Sequence, residues 1–129
     1  MQHHSKESYT KMLLKNEIIK SEFKRYFDRL GGLHDATIKK IIINFESHTL
    51  EVIISDPLVN FKGLHEYKYI QNLKYTFHFK TLNITEIEYD KDSVSIYDVF
   101  VQDETIEILI SPCGKVNICA KYFICTILD

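Results

Sequence analysis

The sequence predicts an α+β domain in which one long amino-terminal amphipathic helix packs on a mainly antiparallel sheet of about six to eight strands. Three observations carry this expectation. Apolar residues between Ser5 and Leu30 recur in steps of three and four, as one face of a helix requires. From Ala36 onward they alternate in short runs, the period of a strand. The two patterns meet at Gly31-Gly32, where glycine lets the backbone leave a helix through positive φ.

The helical stripe runs through Tyr9, Met12, Leu13, Ile19, Phe23, Tyr26, Phe27 and Leu30, interrupted by the polar Asn16. Lys11, Lys15, Lys20, Lys24 and Arg25 fall off the stripe, as a solvated outer face. Ala36 to Phe45 reads as the first strand, with Ile41, Ile43 and Phe45 on one face and Ile38, Lys40, Ile42 and Asn44 on the other. Thr49 to Ile54 returns as a hairpin partner that gathers Leu50, Val52 and Ile54, and Asp56-Pro57 ends it. Leu58 to Gln71 gives no clear period. Leu73 to Phe79 turns Leu73, Tyr75, Phe77 and Phe79 inward and His78 to solvent. In Leu82 to Tyr89 the apolar face changes, which predicts a bulge near Thr85.

Asp90 to Ser93 is a polar turn, followed by strands at Val94 to Val101 and Glu104 to Ile110. Ser111-Pro112-Cys113-Gly114 makes the next turn. Val116 to Leu128 closes the chain as a strand that is apolar on both faces from Tyr122 onward, so that the helix or a second subunit must cover it. A homodimer through this carboxy-terminal strand is one expectation. No repeat or linker divides the 129 residues, and a single α+β domain spanning 1–129 follows.

Composition narrows the function. With 45% hydrophobic and 26% charged residues the chain is an ordinary globular one. The net charge of −2 hides an asymmetry: Met1 to Phe45 carries nine Lys/Arg against five Asp/Glu, and the remainder seven against thirteen. Glu7, Glu17, Glu22 and Asp28 dilute the cations of the helix, which argues against nucleic acid. No signal-peptide pattern and no apolar run of membrane-spanning length occurs, so a cytoplasmic protein with no membrane contact is expected. Cys113, Cys119 and Cys125 are odd in number, do not follow zinc-module spacing and read as reduced, with Cys119 and Cys125 on one strand face.

Two stretches bear chemistry. His34-Asp35, the only adjacent His-Asp pair, has the residue types for metal ligation or proton transfer. Its structural reading has Asp35 bonding backbone donors of the turn and His34 packed on the first strand. A three-histidine metal site of His34, His65 and His78 has no support in spacing. The second stretch is acidic. Glu86, Glu88, Asp90 and Asp92 alternate along an extended segment, and from Glu86 to Glu107 eight acids meet a single base, Lys91. Such charges keep an exposed strand from pairing with another chain, or they dock a basic partner. No nucleophile elbow, phosphate-binding glycine loop, dinucleotide fingerprint or His-Glu-x-x-His motif is present, and no cofactor is expected.

Leu33-His34-Asp35-Ala36 leading into Ile38 to Asn44, the Leu73 to Phe79 strand and Gly114-Lys115-Val116-Asn117-Ile118 together resemble a group of small, largely uncharacterised bacterial proteins, some of them associated with toxin–immunity loci. The resemblance implies an α+β domain and no known enzymatic activity. The reading that follows is a non-enzymatic protein-binding module, an immunity protein that docks a basic partner through Glu86, Glu88, Asp90 and Asp92. The alternative is a small enzyme or ligand-binding domain using His34 and Asp35.

Overall fold

The computed structural model describes residues 17–57, 70–88 and 94–128. Ser5 to Asn16 of the expected helix, most of Leu58 to Gln71 and the Asp90 to Ser93 turn lie outside them. The chain begins with a short strand, β1 (Glu17–Ile19), a 3-10 turn (Lys20–Glu22) and a seven-residue helix, α1 (Phe23–Arg29). A second 3-10 turn (Gly31–Leu33) leads into β2 (Thr37–Asn44), β3 (Thr49–Ser55), β4 (Asn72–Thr85), β5 (Ser95–Gln102), β6 (Thr105–Ser111) and β7 (Lys115–Ile127).

The strands form two three-stranded antiparallel meanders, β2-β3-β4 and β5-β6-β7, joined at both ends. β4 pairs with β7 along nearly its whole length, and β2 meets β5 at Thr37 and Ser95. Because β7 also pairs with β6, the sheet closes on itself as a six-stranded antiparallel barrel, with β1 added to β7. This overturns the expected α+β layering of a long helix on a sheet.

The helical reading fails first at Glu17–Ile19. Those residues pair with Tyr122, Phe123 and Ile124 of β7, along the edge that β6 leaves free beyond Cys119. Ile18 is therefore the buried residue, 1% exposed, while Ile19 of the predicted stripe stands 46% exposed. The helix that remains turns Phe23, Tyr26, Phe27 and Leu30 inward. The rings of Phe23, Tyr26 and Phe27 meet Phe123 of β7, and those of Tyr26 and Phe27 also meet Tyr75 of β4, with Phe23 and Phe27 each 5.4 Å from Phe123 between ring centroids. The inner face of the carboxy-terminal strand is thus covered by the chain's own helix.

Bulges set the barrel's shape, since an extra residue on one strand bends it and changes which side chains face in. At Lys39 a bulge puts Ile38 on the inward face with Ile41 and Ile43, correcting the predicted grouping. Phe45 leaves the strand altogether: it lies in the turn to β3, 76% exposed, where the Asn44 side chain accepts from the backbone of Glu46 and Ser47. In β4 the change of face comes at Lys80, earlier than the expected Thr85, and β4 runs unbroken to Thr85. A compensating bulge in β7 between Ala120 and Phe123 keeps the two strands paired. It also separates the cysteines, with Cys125 buried inside and Cys119 on the outer face.

After α1 both Gly31 and Gly32 have φ near +65°. Gly32 has a second constraint: a Cβ there would run into the carboxylate of Asp98 on β5, with the Val99 amide behind it. The chain docks on β5 at this point, and the backbone N–H of Asp35 and the carbonyl of Ile96 bond at 2.9 Å.

Candidate functional site

His34 and Asp35 lie just beyond that docking point. His34 packs on β5 rather than on the first strand, with its ring edge-on to Tyr97 at 5.6 Å and Nδ1 bonded to the Tyr97 carbonyl. Its Nε2 lies 3.6 Å from Asp35 Oδ2, and the two side chains are 44% and 62% exposed. Asp35 has φ +72° and joins the sheet through its own backbone amide, so the pair fastens the join to β5 at the surface. His78 is stacked on Tyr122 at 4.8 Å, and His65 lies outside the described residues. Among the described residues no three His, Cys, Asp or Glu side chains are grouped as metal ligands.

The acidic run divides in space. Glu104 is met by Lys80 of β4 at 3.1 Å and Lys20 at 4.0 Å, and Glu107 by Lys115 of β7 at 3.6 Å. The cations that balance these acids come from other elements of the fold and are invisible along the sequence. Asp98 is half-buried and accepts from the Val99 amide. Glu86 and Glu88 behave differently. They follow the end of β4, both exposed, and neither makes an ion pair with a described residue. Their backbone is held in place, because the Glu88 N–H donates to the Cys113 carbonyl at 3.3 Å. Gly114, at φ +124°, lets this segment approach: a Cβ there would stand 2.8 Å from Ile87 Cα and 2.9 Å from the Glu86 carbonyl oxygen. Ile87 packs on the core while Glu86 and Glu88 face water. Asp90 and Asp92 lie outside the described residues.

Sequence reasoning missed a cleft at the β5–β6 turn. It measures about 760 Å³ and is lined by Lys20, Lys80, Lys121, Glu104 and Cys119 among others. Lys80 in hydrogen-bond contact, then the Cys119 thiol, which donates to it at 3.3 Å, hold the Glu104 carboxyl below its ordinary value. Desolvation, followed by the adjoining carboxylate, pushes the Cys119 thiol up, which keeps it protonated. The signal that would have found this cleft is the bulge pairing, which composition does not reveal.

Inside the barrel, Tyr26 and Tyr75 share a hydrogen bond of 2.9 Å, and the Tyr26 hydroxyl reaches Cys125 Sγ at 3.4 Å. Burial raises all three pKa values, so the cluster is neutral and satisfied within the core.

Compared with known proteins, the chain matches no protein-family model, no curated protein and no solved structure. No helix among the described residues is long and apolar enough to cross a membrane.

Proposed function

We propose that the chain is a non-enzymatic protein-binding module that docks a basic partner through the acidic segment following β4. The observation that supports this reading is the contrast among carboxylates. Glu51, Glu104 and Glu107 on the barrel wall each have a lysine, whereas Glu86 and Glu88 meet none among the described residues and stand on a backbone fixed against Cys113 and Gly114. Exposed charges on a rigid frame hasten encounter with an opposite charge and lose little freedom on binding. Asp90 and Asp92, next in sequence, extend the same charge. An immunity protein that covers the phosphate-binding surface of a basic toxin would use such a segment, in keeping with the resemblance carried by Leu33 to Ala36.

The test is affinity capture at two ionic strengths with wild-type protein and with Glu86→Gln/Glu88→Gln/Asp90→Asn/Asp92→Asn. The proposal expects a basic protein bound by the wild type at low salt, weakened by salt and lost from the variant. Equal capture by both proteins, or a captured partner that is acidic, would overturn it.

A further inference from the structure

We propose that the cleft at the β5–β6 turn binds the phosphate group of a small molecule. Its cations come from three separate elements: Lys20 from the first 3-10 turn, Lys80 from β4 and Lys121 from β7. Two of them owe their position to bulges. Lys80 is the extra residue of β4 between Phe79 and Thr81, and Lys121 lies in the β7 bulge between Ala120 and Phe123. Bulges re-aim side chains beside binding sites, and these two bring both lysines to one opening.

The β5–β6 turn, which lines the cleft with Asp103 and Glu104, is tied to the same place, because the Ala120 N–H donates to the Glu104 carbonyl at 3.0 Å. Ser21 and Thr105 add hydroxyls and Gln102 an amide. Every cation lining it is lysine, a compact point charge that binds phosphate, and a phosphate concentrates more negative charge on one group than a carboxylate does. An anion already sits between two of them. The Glu104 carboxylate contacts Lys80 at 3.1 and 3.3 Å and approaches Lys20 to 4.0 Å, while Lys121 makes no ion pair with a described residue. Glu104 is thus an internal counter-ion with which a ligand phosphate competes.

The ligand is small. The cleft volume is that of a small-molecule pocket, and Asp103 and Glu104, with Asp28 in the adjoining groove, interrupt the continuous positive stripe that a nucleic-acid backbone requires.

Calorimetric titration with inorganic pyrophosphate at low salt, repeated with citrate, tests this directly. Binding is expected at one site, with citrate at least about tenfold weaker. Lys80→Ala/Lys121→Ala should weaken pyrophosphate binding by about tenfold or more, and Glu104→Gln should tighten it severalfold by removing the competing carboxylate. Absence of binding, equal binding of citrate, indifference to the lysine substitutions, or weaker binding by Glu104→Gln would each overturn the proposal. Should a variant fail to fold, amide shifts of the wild type decide: perturbation at Gln102, Thr105 and Cys119 supports the site, and perturbation elsewhere refutes it.

Discussion

At the scale of single residues, the interior hydroxyl and thiol cluster gives the fold a defined response to alkali. Tyr26, Tyr75 and Cys125 all have pKa values raised by burial. A group that keeps its proton in the fold but loses it on unfolding contributes stability below its unfolded pKa, and that contribution disappears as pH rises. The ordinary values are 9.0 for the thiol and 10.0 for the phenols. Stability should therefore hold below about pH 8.5 and fall above it, by about 1.4 kcal/mol per pH unit for each group once its unfolded form ionises. Denaturant unfolding followed across pH 8 to 11 checks this. Tyr75→Phe should make the decline above pH 10 shallower by about that amount, and an unaltered slope would show that Tyr75 ionises freely in the fold. The residue scale also shows where sequence reading misled. Glu104 and Glu107 look unpaired along the chain because Lys80 and Lys115 reach them from other strands. Glu86 and Glu88 lie among the same acids in sequence and differ only in what the fold places near them.

At the scale of elements, the alternating runs were legible and the bulges that interrupt them were not. Leu50, Val52 and Ile54 of β3 and Ile106, Ile108 and Ile110 of β6 are buried as their period requires. Lys39, Lys80 and Tyr97 are bulge residues that disturb the count of two, and nothing in their side chains announces it. The stop at Gly31-Gly32 was legible because positive φ selects glycine. The start of the helix was not, since Glu17–Ile19 fits a helical stripe as well as a strand and only its pairing with β7 decides. A helix of seven residues cannot persist alone in water, so α1 depends on its contacts with Phe123 and Tyr75. Phe23→Ala, which removes a fully buried ring, should destabilise the protein by about 3–5 kcal/mol. A thermal melt would register this as a midpoint lower by roughly 10 °C or more. An unchanged midpoint would mean that the helix does not dock.

At the scale of the whole molecule, closure is the feature that local pattern could not supply. Alternation tells which side of a strand is apolar, but a sheet covered by a helix and a barrel wrapped around its own core both satisfy it. What separates them is pairing between residues far apart in sequence, above all β6 with β7 and the start of β2 with the start of β5. Closure sends all six barrel strands' inward side chains to one core and leaves the charged groups outside on a fixed frame, with Glu86 and Glu88 at one position and the lysine cleft at another. Both functional proposals rest on that frame. Cross-strand nuclear Overhauser effects in the labelled protein test it most directly. The closed barrel predicts contacts between Ile106 and Ile118 and between Thr37 and Ser95 in the same monomer, together with those of the β3–β4 pair. Contacts within β2-β3-β4 and β5-β6 but none between β6 and β7 would mean an open sheet and contradict the account.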